Sequence, residues 1–159
     1  FVRIKEQLPA AKLMICGDGP AREDLENQVK RLHLTGSVIF TGEISNDQVP
    51  HYYHMANLFV STSVSESQGL TYNEALASGL KVVTTRSPYT DELLDQVCLG
   101  KTYSTVDEFV SDVVEYLKHP EKYRNEKVLA QKLKSISAEN FGKRVIHLYE
   151  HCIDEYQHS

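Results

Sequence analysis

No stretch of this 159-residue sequence approaches the roughly 20 consecutive apolar residues that span a bilayer. No basic segment followed by an apolar one opens it, so no secretory signal is read. The first residue is Phe1 rather than Met. The chain enters directly on a helical pattern (Val2, Ile4, Leu8), which reads as an excised piece of a longer protein. Positive charge is also short: 17 Lys and Arg stand against 22 Asp and Glu, a net charge of −5. Nucleic-acid binders show a strong basic excess, so no nucleic-acid partner is expected. Two small basic clusters, Lys132 with Lys134 and Lys143 with Arg144, read as solvated faces; peripheral membrane contact is their alternative use.

Cysteine is scarce. Cys16, Cys98 and Cys152 are odd in number and far apart, which fits neither a disulfide framework nor a zinc pattern. Cys16 falls inside an apolar run and reads as a small buried hydrophobe. A reducing compartment follows, the cytoplasm or the inner face of its membrane.

What is present is ordinary for one globular domain with a single core: 41% hydrophobic and 25% charged residues. Short apolar runs end in glycine and alternate with helical stripes. Lys12–Cys16 predicts a buried strand closed by Gly17. Pro20 suits the first turn of a helix striped by Leu25, Val29 and Leu32. Ser37–Phe40 predicts a second strand, closed by Gly42. Ser45 is the expected cap of a helix with Val49, Tyr52, Tyr53 and Met55. Asn57–Ser61 predicts a third strand, and a helix from about Gly69 to Ser78 ends at Gly79. Lys81–Thr84 predicts a fourth strand. Beyond an irregular stretch at Ser87-Pro88-Tyr89 the remainder reads as helical, with Phe109, Val113, Val114 and Leu117 on one stripe and Val145, Leu148, Tyr149 and Cys152 on another. Alternation with short links implies a parallel sheet covered by helices on both faces. Ligands of such sheets bind beyond the carboxyl ends of the strands. Three loops are thereby singled out: Gly17–Pro20, Thr41–Ser45 and Thr62–Thr71.

The third loop carries the most chemistry. Its hydroxyl-rich run, Ser61 to Ser67, leaves a strand and enters a helix through Gly69. Unpaired amides at a helix start carry partial positive charge and suit a phosphate, and Gly69 permits close backbone approach. Glu66 stands just before the helix and Glu74 in its second turn, on a helix otherwise small or apolar (Leu70, Ala75, Leu76, Ala77). A carboxylate on a largely buried helix needs partners, and sugar hydroxyls are suitable donors. Two solvated acids near a positive helix end would give the same pattern.

The spacing of the two acids, with Ser67 to Asn73 between them, resembles the glutamate–seven-residue–glutamate motif of the family-4 retaining glycosyltransferases of the GT-B fold. Ser63 to Ala77 is similar to that family's Ser-x-x-Glu-x-x-Gly-Leu-x-x-x-Glu-Ala-x-Ala. Ile15-Cys16-Gly17-Asp18-Gly19-Pro20 resembles its Gly-Asp-Gly-Pro turn, and Val38 to Gly42 its Val-x-Phe-x-Gly strand end. The resemblance covers nearly the whole chain. It implies a Rossmann-like α/β fold with a parallel sheet, the C-terminal half of a GT-B enzyme with extra C-terminal helices, over residues 1–159. The family's first strand of this domain, with an Arg and a Lys that neutralise the diphosphate, would precede Phe1, as would the acceptor-binding N-terminal domain of the same protein.

The resemblance also implies roles. Glu66 would be the catalytic-site acid holding donor-sugar hydroxyls. Gln68, Gly69 and Leu70 would offer amides to sugar and diphosphate, and Glu74 would hold the ribose. Gly42, Glu43 and Ile44 would border base and phosphates, with Gly17 at the cleft mouth. The implied donor is a nucleotide-sugar, a UDP-hexose, transferred with retention to give an α-linkage, without metal or cofactor. Ser65 to Tyr72 is similar to bacterial glycolipid glucosyltransferases, which suggests a diacylglycerol-type acceptor. One departure is Lys81, where the family usually has Pro. The rival readings are a non-catalytic glycosyltransferase-like subunit and a GT-B nucleotide-sugar epimerase.

Other signals are weaker. Gly17-Asp18-Gly19 gives two glycines of a dinucleotide fingerprint, but Arg22 stands where the third belongs. His147 with His151, and His51 with His54, share helix faces without a third convergent metal ligand.

Overall fold

The computed structural model describes residues 1–63 and 70–157. Helices and strands alternate as α1 (Val2–Gln7), β1 (Leu13–Cys16), α2 (Arg22–Arg31), β2 (Val38–Gly42), α3 (Val49–Met55), β3 (Phe59–Ser61), α4 (Leu70–Ala77), β4 (Val82–Thr85), α5 (Pro88–Leu93) and β5 (Gly100–Tyr103). Then follow α6 (Val106–Lys118), a 3-10 turn over Pro120–Tyr123, α7 (Glu126–Ser135) and α8 (Ala138–Gln157). None of the described helices is long and apolar enough to cross a membrane.

All strand pairings are parallel, as the strand–helix alternation predicts. They fall into two groups among the described residues: β1 beside β2, and β3-β4-β5. The register sets Leu13 opposite Val38 in the first group, and Ser61 opposite Thr84 opposite Thr102 in the second. β1 and β3, separated by only two helices and one strand in sequence, do not pair with each other.

The three-stranded group holds the core. Successive strand residues point to opposite faces, and Val82 and Val83, both fully buried, lie in different clusters. Val83 packs with Ile4 of α1 and Val110, Val113 and Val114 of α6. Val82 packs with Tyr72, Ala75 and Leu76 of α4 and Leu93 of α5, with Val128, Leu129 and Leu133 of α7 against them. Helices therefore cover both faces. Burying one such aliphatic side chain contributes about 1.5–3 kcal/mol. Gly100 opens β5 at a φ of 154°, and any side chain there would collide with the Val82 carbonyl. The two-stranded group is barer. No residue of α2 is buried, Leu25 and Leu32 of its apolar stripe are exposed, and so is Ile39 of β2.

Several local expectations need correction. Cys16 is exposed rather than buried, because it is the last residue of β1, where the strand is already leaving the sheet. Ser45 does not cap α3 with its side chain; its carbonyl accepts from the Gln48 and Val49 amides, and Gln48 is the N-cap residue. The stretch Ser87-Pro88-Tyr89 is not irregular but opens α5, with Ser87 and Thr90 in a reciprocal capping box and Pro88 in the first turn. β5 lies within a region expected to be helical. At Gly79, with φ 83°, α4 ends as expected: Leu80 N donates to Ala75 O and Gly79 N to Leu76 O, the paired bonds of a Schellman ending.

Candidate functional site at the carboxyl ends of the strands

The Gly17–Pro20 turn and the end of β2 touch. Gly17 has a φ of 119° and donates its amide to Gly42 O at 3.0 Å. Gly42 is itself at φ 73°, a conformation that side chains disfavour. The turn is braced from within. Gly19 N donates to Asp18 Oδ1 at 2.7 Å, and Arg22 Nη1 to Asp18 Oδ2 at 2.8 Å. These bonds, the Gly19 amide first and Arg22 second, lower the Asp18 pKa. Arg22 also donates from Nε to Glu26 Oε1 at 2.9 Å. A Cβ on Gly42 would come 3.2 Å from Arg22 Nη1. Arg22, the residue that breaks the dinucleotide fingerprint, thus starts α2 and holds the turn over Gly42. Next along the chain, Glu43 is exposed and Ile44 half-buried.

α3 connects this corner to α4. Tyr53 Oη donates to Glu74 Oε2 at 3.1 Å and to Thr71 O at 3.3 Å. Burial raises the Tyr53 pKa, followed by its bond to Glu74, with smaller electrostatic contributions from Glu74 and Cys16. Glu74 is exposed, as the alternative of a solvated acid had it: Tyr72, Ala75 and Leu76 form the buried face of α4, and Glu74 lies on the other side. Leu70, at the start of α4, is 59% exposed. Among the described residues, the buried Oδ1 of Asn73 has no hydrogen-bond partner.

Of the residues expected at the site, Gly17 and Gly42 are in contact, Glu43 and Ile44 follow directly, and Glu74 is tied to Tyr53. Leu70 stands one turn before Glu74. Glu66, Gln68 and Gly69 lie outside the described residues. Tyr53 was not singled out from sequence; its position on an apolar stripe hid the fact that its hydroxyl reaches a carboxylate on the next helix. Among the described residues no group of three or more His, Cys, Asp and Glu could hold a metal. A shallow hollow of about 390 Å³ lies away from these strand ends, lined by Asp95 and Gln96 before β5 and by Val128, Gln131, Lys132 and Ser135 of α7. Its lysine is already engaged, donating to Asp95 at 2.8 Å and to Glu92 O at 3.1 Å.

Parallel strands, helices on both faces and a turn-lined carboxyl edge define a doubly wound α/β domain. Solved structures agree on that fold. The chain superposes on a TarM variant from S. aureus, in complex with fondaparinux, alpha-GlcNAc-glycerol and UDP, with a TM-score of 0.79 and 18% identity over 93% of this chain and 31% of that one. It superposes on the pneumococcal O-GlcNAc transferase GtfA, in complex with UDP and GlcNAc, with a TM-score of 0.69 and 20% identity over 99% of this chain and 32% of that one.

The family model described as glycosyl transferases group 1 matches residues 1–142, and the chain belongs to that family. Its sequence is 41% identical over 150 residues to the alpha-monoglucosyldiacylglycerol synthase of Streptococcus pneumoniae (strain ATCC BAA-255 / R6), covering 94% of this chain and 34% of the relative. The chain spans about a third of the length of this relative and of the Acholeplasma laidlawii alpha-monoglucosyldiacylglycerol synthase it also matches, 34% and 30%.

Proposed function

We propose that this chain is the donor-binding half of a retaining glycosyltransferase, and that the carboxyl edge binds a UDP-hexose. Two observations support the reading: the Gly17–Gly42 contact at the ends of β1 and β2, and the Tyr53–Glu74 pair between α3 and α4; ligands of doubly wound sheets bind beyond the carboxyl ends of the strands. Glu74, held by Tyr53 yet exposed, has acceptor capacity left for ribose hydroxyls. Gly17 and Gly42 leave backbone rather than side chain at the cleft wall, with Glu43 and Ile44 beside it. Glu66 would hold the sugar. Gln68, Gly69 and Leu70, leading into the amino end of α4, would present amides to the diphosphate. Fixed dipoles of that kind stabilise a leaving diphosphate as its charge develops.

Transfer with retention would give an α-linked product. The acceptor class that the pneumococcal relative favours is a diacylglycerol lipid, which fits a cytoplasmic enzyme working at the inner membrane face. Among the described residues one edge each of β1 and β3 carries no strand partner, and their apolar residues Leu13, Met14, Ile15, Phe59 and Val60 are only half-buried, which suits one further parallel strand between them. We assign that place to a strand of the full polypeptide that brings the cations for the diphosphate, and the acceptor to its N-terminal domain.

The test is titration of UDP and UDP-glucose into the full-length protein, with hexose transfer to diacylglycerol in mixed micelles. Micromolar to millimolar binding and α-glucosyl transfer are expected from the full protein, whereas residues 1–159 alone should bind weakly and transfer nothing. A full-length protein that binds neither ligand would overturn the reading.

A further inference from the structure

One side chain joins α3 to α4. Tyr53 lies on α3, and its ring packs against Phe59 of β3 with centroids 5.8 Å apart. Phe59 in turn meets the buried Tyr72 of α4 at 6.1 Å. These contacts use the ring alone, and a phenylalanine at position 53 would make them equally well. The hydroxyl beyond the ring has a different use. It lies 3.1 Å from Glu74 Oε2 and 3.3 Å from Thr71 O. A phenol has one proton to give. Of the two acceptors the carboxylate is nearer and charged, and charge-assisted bonds are the stronger, so Glu74 takes the larger share. Burial, then the bond to Glu74, raises the Tyr53 pKa, so the hydroxyl keeps its proton at neutral pH.

Glu74 is exposed, and among the described residues no Lys or Arg pairs with its carboxylate. The donor that reaches it is neutral and occupies Oε2. The charge is therefore not cancelled, and Oε1 keeps its acceptor capacity. An exposed glutamate otherwise samples many rotamers, and ordering it on binding costs affinity. A side chain already held at one oxygen has less freedom to lose. We propose that Tyr53 is a positioning residue for ribose recognition: its hydroxyl holds Glu74 by Oε2 so that Oε1 meets the ribose hydroxyls of the nucleotide-sugar, and the site thereby distinguishes a ribonucleotide from a deoxyribonucleotide. This rests on the donor-site reading above, which gives Glu74 the ribose. Tyr53 acts through Glu74 and not by touching the ligand.

The experiment compares wild type, Tyr53→Phe, Glu74→Ala and the double variant in the full-length protein. It measures the Kd for UDP and for its dideoxy analogue, which lacks both ribose hydroxyls, with KM and kcat for UDP-glucose and the thermal midpoint. Wild type should bind UDP about tenfold tighter than the analogue. Tyr53→Phe should weaken UDP about fivefold, the effect of one hydrogen bond, and leave the analogue within about twofold. The KM for UDP-glucose should rise by the same factor while kcat stays within about twofold, because a ribose contact is equal in ground and transition states. Glu74→Ala should lose more than Tyr53→Phe, and the double variant no more than Glu74→Ala alone, because the hydroxyl acts only through the carboxylate. Equal weakening of UDP and the analogue by Tyr53→Phe marks a merely structural tyrosine and overturns the proposal. So does an unchanged UDP affinity, a loss in kcat without one in KM, or a Tyr53→Phe protein that fails to fold, since the hydroxyl would then be needed by the fold itself. A wild type that binds neither ligand removes the donor-site reading, and one that binds both equally removes the ribose role of Glu74, the proposal falling with either. Both outcomes are distinct from a discriminating wild type with an unaffected Tyr53 variant.

Discussion

Glu74 and Glu66 are chemically alike but should fail differently, because the proposed site gives one the ribose and the other the sugar. Glu74 is already oriented by Tyr53 at 3.1 Å. Glu74→Gln keeps size and loses the charged acceptor, and a hydrogen bond to a charged group contributes about 1.5–3 kcal/mol against about 1 for a neutral one. In the full-length protein UDP affinity should fall roughly tenfold, with UDP-sugar affinity falling in parallel. Glu66→Gln should leave UDP affinity nearly unchanged and lower turnover, since its partners are on the sugar and count most as charge develops. UDP titration and initial rates for both variants, with circular dichroism as a folding control, read the difference. Equal weakening of UDP by the two substitutions would contradict the division of roles. The spacing of the two acids was legible in sequence, but the tyrosine that orients one of them was not. Neither was the exposure of Glu74, since a small, apolar helix does not reveal which of its sides meets solvent.

At the scale of elements, α6 shows what local chemistry can specify. Thr105 and Glu108 form a reciprocal capping box at its start, and Glu115 near its end receives Lys122 Nζ at 2.6 Å and Tyr123 Oη at 2.7 Å from the following 3-10 turn. The bond from Lys122, then that from Tyr123, lowers the Glu115 pKa from its ordinary 4.5 to about 2. A carboxylate whose folded pKa is depressed stabilises the fold fully above its unfolded pKa, and that contribution is lost as pH falls through the folded value. Glu115→Gln should therefore lower the thermal midpoint at pH 6, and the gap to wild type should close between about pH 4.5 and 2. A pH-independent gap in a melting series would show that charge is not the cause. Strand β5 shows the opposite case. Gly100-Lys101-Thr102-Tyr103 has no apolar run, and its burial comes from lying between β4 and α6, so nothing in its own sequence marks a strand. α5 was hidden for another reason: Ser87-Pro88-Tyr89 has turn-forming residues, yet Ser87 caps and Pro88 at the first helical position is preorganised for a helix.

For the molecule as a whole, alternation of strands and helices was enough to predict parallel pairing, coverage of both faces and the edge at which to look for a site. It did not show that the described strands fall into two groups, because whether β1 and β3 pair depends on the arrangement of the whole sheet, not on either strand's own residues. Nor did it show that the β1–β2 side is so thinly covered, with Cys16 and the α2 stripe exposed. The central claim is that this carboxyl edge is a nucleotide site. Amide hydrogen exchange on the full-length protein, with and without saturating UDP, tests it most directly. Protection is expected at residues 17–20, 42–45 and 62–74 and not at the amino ends of the strands, such as 11–13, 57–59 and 95–99. Unchanged exchange in all three carboxyl-edge segments, or protection confined to the amino ends, would contradict it.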